Sequence, residues 1–476
     1  MKTTTKLFFA ATLLASPCVG AAEMESASPE SQGVSSQAIL KWIDVCEKEL
    51  DALHGFVIVR HGRVIAEGSW APYATLEKPH MLYSHSKSFT STAVGFLVDD
   101  GKLDLDARVA DLLSDKMPTN ASANLLSVRV RDLLTMTYGA PKDHLLKTDI
   151  PDWAAAVLAK DIANLPGTAY RYDSDATYLL ACIAERKAGM PLMDFLRRRL
   201  FDPIGIGLVT TGVSPQGIPC GGWGMRMTTR DLARFGQLYL QEGLWGDTRL
   251  LSRDWVRLAT AKHTAGRGGN PDWSQGYGFQ FWRCRHNAYR ADGASGQYTI
   301  VIPDHDAVIS IHAGLGNMQK EIDTIWDHLL PAFGPKALDP DPTSLAGLRA
   351  KCASLTLKTV AGARTDAAAT KLPATAKLAF RHLPGYTQAT LAETADGWEL
   401  KVTGADGERR IAVGFNSWKH GMFHYSDSPV EPLFALNGTE PVAASGAWTK
   451  PGEFTCRLYL TGAPQHGDIK LNFSQE

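Results

Sequence analysis

Two hairpin patterns far apart along the chain constrain the fold more than any other feature of this sequence. The first, residues 56–66 (FVIVRHGRVIA), has two β-branched runs that meet at a His-Gly turn. The second, residues 298–312 (YTIVIPDHDAVISIH), turns at Pro-Asp-His-Asp. Helical periodicity dominates between them, so we expect both hairpins to share one antiparallel sheet that helices flank. The patterns therefore predict a single α/β (α+β) body over residues 37–333.

The sequence changes character after residue 335. Residues 336–375 are rich in Ala, Pro, Thr and Lys, and we interpret them as a linker with one short helix. Residues 376–476 instead alternate apolar and polar side chains in short runs that Gly, Asp and Pro punctuate. We therefore divide the chain into a main body over residues 23–335, the linker, and a small C-terminal antiparallel β domain.

The first 22 residues have the pattern of a cleaved secretory signal. Lys2 and Lys6 precede an apolar run at residues 7–15 (LFFAATLLA), which is too short to span a bilayer, and small residues follow. A buried N-terminal helix and a lipid anchor on Cys18 remain as alternatives. No later run reaches about 18 uninterrupted apolar residues, so we expect a periplasmic or secreted protein without a transmembrane segment.

The charge balance excludes one class of partner. The chain has 49 Lys and Arg against 50 Asp and Glu, which rules out a nucleic-acid binder that works by bulk charge. The absence of CxxC and HExxH motifs means that we expect no metal and no other cofactor.

Without Cys18, six cysteines remain, and an even number permits disulfides in an exported protein. We expect Cys352 to pair with Cys456 first, and Cys220 with Cys284 second.

One tetrad, Ser84-His-Ser-Lys87, carries the main chemical signal. It is the only S-x-x-K in the chain, and it opens an apolar helix that we expect over residues 84–101. A spacing of three places the hydroxyl and the amine on one helical face, within reach of each other. Serine is a poor nucleophile until a base takes its proton, and a lysine partly removed from water can be that base. The tetrad alone also fits an ordinary capped helix with a surface lysine.

Three further segments fit the same chemistry. Residues 166–174 (PGTAYRYDS) contain the only Y-x-S, in which Tyr172 could relay a proton and Ser174 could fix the lysine. Residues 289–297 (YRADGASGQ) lead directly into a strand, where glycines allow close backbone approach and N–H groups can serve as oxyanion donors. Residues 133–139 (LLTMTYG) form a helix end and a loop.

In this order, these segments resemble the serine β-lactamase and penicillin-binding-protein family. The resemblance is carried by residues 83–93 (YSHSKSFTSTA), 101–106 (GKLDLD), 130–137 (VRDLLTMT) and 166–172 (PGTAYRY), and it covers about residues 37–333. The closest branch is the class C-like group, which includes esterases, D-aminopeptidases and nylon-oligomer hydrolases. The resemblance implies a β-lactamase/transpeptidase-like fold and a reaction that passes through an acyl-enzyme.

The resemblance also implies a role for each matching residue. Ser84 corresponds to the acylated nucleophile, Lys87 to its base, and Tyr172 to the tyrosine of the second motif. Ser174 stands where asparagine or serine usually lies. The backbone N–H groups of Ser84 and of Ala294, or a near neighbour, would form the oxyanion hole. The remaining predicted substrate-binding residues are Asp292, Gly293, Gln297 and Trp223. Trp223 lies in a Gly-rich loop, residues 221–225 (GGWGM), where its ring could stack on a substrate or belong to the core.

The third motif departs from the family pattern. Where β-lactamases and transpeptidases carry Lys-Thr-Gly or His-x-Gly, this chain has Ala291-Asp-Gly293. The positive charge that would bind a substrate carboxylate is missing, which argues against β-lactams and D-Ala-terminated peptides. We therefore predict a hydrolase for a small-molecule, peptide or glycan-linked ester or amide. A D,D-carboxypeptidase or β-lactamase proper, a carbohydrate-directed hydrolase and a non-catalytic binding module remain alternatives.

Other side chains near the predicted cleft have two possible roles each. His312, in a His-Ala-Gly sequence that resembles the missing motif, is expected to pack rather than to act. Aromatic residues between Trp273 and Trp282 could stack on a sugar or an aryl group, or could be core. Three arginines are candidates for anion contacts or for ordinary surface charge: Arg226, Arg285 and Arg290.

Overall fold

The fold is taken from a computed structural model that describes residues 24–141, 150–366, 376–377, 386–404, 407–426 and 438–473. The predicted signal segment and Cys18 therefore lie outside the described residues. Within the described ranges, every helix is too short or too polar to cross a membrane.

The two predicted hairpins lie side by side in one six-stranded antiparallel sheet, as expected. Its order is β2-β1-β10-β9-β8-β7, and Ile58 of β1 lies opposite Ile309 of β10. Strands β1, β9 and β10 are buried at every residue, which accounts for their continuous apolar runs. The strands of the main body are β1 (Leu53–Arg60), β2 (Arg63–Ser69), β3 (His80–Met81), β4 (Arg226–Met227), β5 (Leu244–Trp245), β6 (Thr248–Arg249), β7 (Trp282–Arg283), β8 (Tyr289–Gly293), β9 (Gln297–Ile302) and β10 (Ala307–Ala313).

Helices cover both faces of this sheet. On one face, Trp42 of α1 makes an edge contact with Phe56 at 5.2 Å between ring centroids. On the other face, Gly236 allows α10 to approach the side chains of Thr299 and Val308. The helices are α1 (Ser36–Glu49), α2 (Ser86–Asp99), α3 (Val109–Leu112), α4 (Ala123–Ser127), α5 (Val130–Leu134), α6 (Trp153–Leu158), α7 (Ser174–Ala188), α8 (Leu192–Leu196), α9 (Asp202–Ile204), α10 (Thr229–Leu240), α11 (Arg253–Thr260), α12 (Met318–Thr324) and α13 (Pro342–Ala353).

Helix α2 is buried along nearly its whole length, which is unusual for a helix that carries so many hydroxyl groups. Its polar side chains are satisfied by loop carbonyls: the Ser88 hydroxyl donates to the Gln280 carbonyl, and the Ser91 hydroxyl donates to the Phe279 carbonyl, both at 2.7 Å. A 3-10 turn over Tyr83–His85 precedes the helix, which therefore begins two residues later than predicted. The predicted nucleophile lies in that turn.

The C-terminal strands form the predicted β domain, and the sheet closes on itself. Its order is β14-β13-β12-β11-β18-β17-β16-β15, and Gly414 of β14 also pairs with Ser445 of β16, which brings its two ends together. Apolar side chains such as Leu400, Phe454 and Ile469 fill the interior of this barrel. The strands are β11 (Ala376–Lys377), β12 (Tyr386–Thr394), β13 (Gly397–Gly404), β14 (Gly407–Gly414), β15 (Lys419–Ser426), β16 (Gly438–Lys450), β17 (Glu453–Leu460) and β18 (His466–Asn472).

The described part of the segment that joins the two units contacts the main body at its start and the barrel at its end. Helix α13 packs against α1, and Leu348 is buried there. After the helix, the backbone of Leu355 and Leu357 bonds Ala71 of the main body at 2.9 and 2.7 Å. Further along, Ala363 exchanges two backbone bonds of 2.9 Å with Trp448 of the barrel.

The disulfide predictions are wrong, because all six cysteines of the described residues are free thiols. Cys456 is buried in the barrel core, whereas Cys352 lies on α13 against the main body. Cys284 instead lies 3.0 Å from the Arg290 guanidinium. Burial raises the pKa of the Cys220 thiol to about 12 and that of Cys352 to about 11, so both stay protonated at neutral pH.

Buried histidines lie where the barrel meets the main body. His54 Nδ1 is 3.1 Å from His80 Nε2, and the rings of His80 and His312 lie 4.5 Å apart. On the barrel side, the centroid of the Tyr459 ring lies 6.5 Å from that of the His54 ring. Burial lowers the pKa of His54 and His312 well below its usual range and that of His80 to about 3. All three are therefore neutral at physiological pH.

We expect the free energy of unfolding to decrease as the pH falls from about 6.5 towards 3. In that window the unfolded chain binds protons at these histidines and the folded protein does not, so acid favours unfolding. Each histidine that stays neutral in the folded protein lowers the free energy of unfolding by up to about 1.4 kcal/mol for each unit that the pH falls. Urea midpoints at pH 7.5, 6.0 and 5.0 measure the slope. His80→Gln should reduce it, and equal slopes for the wild-type protein and the variant would contradict the assignment.

Candidate active site

Ser84 lines a cleft of about 480 Å³. It sits in the 3-10 turn before α2, and the preceding residue, Tyr83, has a φ of 49°. A bulky residue rarely adopts this left-handed conformation, so the surrounding structure must hold the turn in place. The described residues that line the cleft are Ser84, Tyr172, Arg267, Gly268, Asn270, Trp273, Trp282, Asp292, Ala294, Gly316, Asn317 and Met318.

Lys87 is withdrawn from water and fixed at three points. Its side chain extends from the first turn of α2 and the residue is 1% exposed. The Nζ atom lies 3.2 Å from Ser84 Oγ, 3.0 Å from Ser174 Oγ and 2.7 Å from the Gly222 carbonyl oxygen. The structure thus brings together the serine and lysine of the S-x-x-K tetrad and the serine of the Y-x-S motif.

Tyr172 lies beside the lysine and forms one wall of the cleft. The Lys87 Nζ atom is 4.9 Å from the centroid of the Tyr172 ring, a cation–π distance. The ring also stacks on Trp282 with centroids 5.8 Å apart, and Trp282 makes an edge contact with Tyr277 at 4.7 Å. These contacts hold the phenol ring in one orientation next to the serine–lysine pair.

The turn between β8 and β9 also lines the cleft. Ala294, its first residue, is exposed to the cleft, and Gly293 ends β8. A Cβ atom on Gly293 would lie 2.0 Å from the carbonyl oxygen of Leu82. Only glycine therefore allows β8 to approach the segment that leads into Ser84, so Gly293 has a structural reason to be at this position.

The acid of the third motif is neutralised within the protein. Asp292 is 9% exposed at the cleft, and its Oδ2 atom accepts from Arg290 Nε at 2.8 Å and pairs with Nη2 at 2.7 Å. Burial raises the pKa of Asp292, and the Arg290 charge opposes this effect. The Arg290 guanidinium also lies over the Trp273 ring at 4.3 Å. The third motif therefore presents an ion pair rather than a single charge.

The three arginines considered for anion contacts or surface charge all form ion pairs within the protein. Each guanidinium is bound to a carboxylate of the protein rather than presented to a substrate. Their partners are Glu440 for Arg226, Asp272 and Asp323 for Arg285, and Asp292 for Arg290.

Two predicted substrate-binding residues lie away from the cleft. Trp223 is 3% exposed and stacks on Trp153 at 5.9 Å, so it belongs to the core. Gln297 is fully buried, and its Nε2 atom donates to the Ala294 carbonyl at 3.1 Å. Its Oε1 atom lies 3.0 Å from His312 Nδ1, so both side chains support the β8–β9 turn from behind. His312 packs, as expected.

Several residues of the site were not predicted. The Gly222 carbonyl is one of the three anchors of Lys87, although the Gly-rich run around it had pointed to Trp223. Arg267 and Asn270 line the cleft from a loop without any recognisable motif, and Asn317 does so from the start of α12. Composition gave no signal for these three. Of the aromatic residues from Trp273 to Trp282, those two line the cleft, whereas Tyr277, Phe279 and Phe281 are buried in the core.

Residues 44–324 match the Beta-lactamase protein family, which accounts for more than half of the chain. The chain belongs to the beta-lactamase family. It is 28% identical to penicillin-binding protein 4 of Amycolatopsis lactamdurans over 325 residues, which cover 56% of this chain and 82% of that protein. It is 25% identical to the 6-aminohexanoate-dimer hydrolase of Paenarthrobacter ureafaciens over 263 residues, which cover 52% and 67%.

A solved structure extends the likeness to the C-terminal barrel of this beta-lactamase-family protein. The penicillin-binding protein homologue from Pyrococcus abyssi superposes with a TM-score of 0.50 at 15% identity. The match covers 92% of this chain and 98% of that one, and it shows a shared fold. Together with the family match and the hydrolase relative, the serine–lysine site identifies the chain as a serine hydrolase of the beta-lactamase-related type.

Proposed function

We propose that this serine hydrolase cleaves an ester or an amide through an acyl-enzyme on Ser84. The observation that carries the proposal is the 3.2 Å contact between Lys87 Nζ and Ser84 Oγ inside the cleft. A neutral lysine has two N–H groups and one lone pair. The contacts to Ser174 and Gly222 hold the Lys87 amine against Ser84, so that its lone pair, in the neutral form, can take the proton of the Ser84 hydroxyl.

This geometry supports the following reaction. Ser84 Oγ attacks the substrate carbonyl carbon while Lys87 takes the hydroxyl proton. The oxygen of the tetrahedral intermediate accepts hydrogen bonds from the backbone N–H groups of Ser84 and Ala294. The leaving group departs with a proton that Tyr172 transfers from Lys87. A water molecule attacks the acyl-enzyme along the reverse route and releases the acid.

At the third motif, the cleft offers no free positive charge to a substrate carboxylate; Arg267, an arginine in the cleft lining, lies on a separate loop. The third motif offers an Arg290–Asp292 ion pair in place of the lysine that β-lactamases and transpeptidases use. The neighbouring walls are the rings of Tyr172, Trp273 and Trp282, which suit an apolar or aryl group.

A D,D-carboxypeptidase is the second candidate, because a penicillin-binding protein is among the relatives. Covalent labelling by fluorescent penicillin would favour it.

We also propose export and a three-part organisation. The signal pattern in residues 1–22 supports a periplasmic or secreted location for the mature chain. The main body then comprises residues 23–335, the linker residues 336–375, and the C-terminal domain residues 376–476.

Intact mass after exposure to a fluorophosphonate probe tests the proposal. We expect one stoichiometric adduct on the wild-type protein, located on the peptide that contains Ser84, and none on Ser84→Ala. Ser91→Ala, which removes a hydroxyl further along α2, should still form the adduct. Folded wild-type protein that forms no adduct would contradict the proposal and favour a non-catalytic binding module.

A further inference from the structure

A turn of the barrel contacts the segment that leads into Ser84. The turn, residues 461–465, joins β17 to β18. The N–H of Met81 donates to the Gly462 carbonyl at 3.0 Å, and Gln465 Nε2 donates to the Tyr83 hydroxyl at 2.6 Å. The side chains of Met81 and Tyr83 also pack into the apolar cluster of the barrel rather than that of the main body. The residue before the predicted nucleophile is therefore held by the C-terminal domain.

A second contact ties the same segment to the barrel. Met81 belongs to β3, which pairs with β4 through Met81 and Arg226. The Arg226 guanidinium donates to both carboxylate oxygens of Glu440 on β16, at 2.6 and 2.9 Å. Both side chains are largely buried, so this two-pronged ion pair is shielded from solvent. The β3–β4 ladder and the turn that follows it are thus fixed to the barrel at several points.

These contacts matter because of the backbone conformation of Tyr83. Its φ of 49° is rare for a tyrosine and persists only when the surroundings determine it. Tyr83 is 5% exposed, and burial raises the pKa of its phenol, so the hydroxyl stays neutral and requires a partner. Gln465, itself 8% exposed, supplies that partner.

We propose that Gln465 of the C-terminal barrel is a positioning residue for Ser84, and that it acts through Tyr83. This inference rests on the proposed function. By fixing the Tyr83 ring, Gln465 fixes the left-handed turn that presents the Ser84 hydroxyl to Lys87 and to the cleft. The barrel is then part of the catalytic unit rather than a separate binding module.

The residues that line the cleft lead to a specific prediction about kinetics. Its described residues all belong to the main body, and none comes from the barrel. Loss of the Gln465 contact should therefore misplace the nucleophile without changing the surface that binds the substrate. A displacement of about 1 Å at a reacting group can cost about 10²-fold in rate. The effect should fall on kcat and leave KM nearly unchanged.

Gln465→Leu and Tyr83→Phe test the inference in the full-length protein. The measurements are kcat and KM for p-nitrophenyl acetate, the rate of fluorophosphonate labelling, and the melting temperature. We expect each variant to lower kcat and the labelling rate by about 10- to 100-fold, with KM within about twofold. The double variant should be no slower than the slower single variant, because both changes break one hydrogen bond. Gln388→Leu, an exposed glutamine on β12, is the matched control and should keep wild-type kinetics.

The outcomes separate this inference from the proposed function. Wild-type labelling rates in both variants would overturn the positioning role, as would additive losses or an equal rise in KM. A wild-type protein that is not labelled at all would overturn the proposed function, and the positioning role with it. Should Gln465→Leu fail to fold, Tyr83→Phe, which removes one oxygen atom, decides the question alone.

Discussion

Replacing Lys87 with methionine is expected to slow acylation of Ser84 by about 10²- to 10⁴-fold, the range that a positioned general base contributes. Methionine keeps the length and the apolar stem of lysine but offers no lone pair for the serine proton. The change also leaves the Gly222 carbonyl and the Ser174 hydroxyl without the amine, at a cost of about 1–3 kcal/mol in stability. The fold should therefore survive while the nucleophile loses its base.

The rate of fluorophosphonate labelling measures this effect directly. Lys102→Met is the matched control, because Lys102 lies exposed just beyond the other end of the same helix. It should be labelled at the wild-type rate. Labelling of a folded Lys87→Met protein at the wild-type rate would contradict the role of Lys87 as the base and would point to another proton acceptor in the cleft.

Gly293→Ala is expected to lower kcat/KM by about 10²-fold. The added Cβ atom would lie 2.0 Å from the Leu82 carbonyl oxygen, and neither partner is a flexible side chain that could turn away. Either β8 or the segment before Ser84 must therefore shift. Both proposed oxyanion donors, at Ser84 and Ala294, lie one or two residues from this contact, so their spacing changes.

Gly207→Ala serves as the control for this prediction. A Cβ atom there meets no other atom within 4 Å, so the same chemical change should leave the activity intact. Steady-state kinetics on an ester substrate and the melting temperature of each variant are the measurements. A folded Gly293→Ala protein with wild-type kcat/KM would show that the close approach of β8 does not set the geometry of the site.

The parts of the fold that could be predicted are those with local signals. The long β-branched runs of the two hairpins indicated buried strands, and the spacing of three placed Ser84 beside Lys87. The Arg290–Asp292 pair also had a local signal, since residues two apart on a strand share one face, but the sequence interpretation treated the two separately.

The parts that could not be predicted depend on contacts between distant segments. Gln465 and Tyr83 are 382 residues apart, and no periodicity connects a barrel turn to a helix start. Trp223 was misplaced because its Gly-rich surroundings suggested an exposed loop, whereas Trp153, far away in sequence, covers it. The disulfide predictions were wrong for a similar reason, because the spacing of cysteines along a chain does not reveal where in the fold each one lies.

The free thiols bear on how this protein can be produced. Because the described cysteines form no cross-links, the chain needs neither an oxidant nor a disulfide isomerase to reach its fold. Expression in a reducing bacterial cytoplasm should therefore give the same folded enzyme as expression in an oxidising compartment. Five of the six thiols are buried, so assays can contain dithiothreitol without a change in the protein. Cys352, the one described thiol that is only partly buried, has its pKa raised to about 11 by burial, so it should react slowly with thiol reagents at neutral pH.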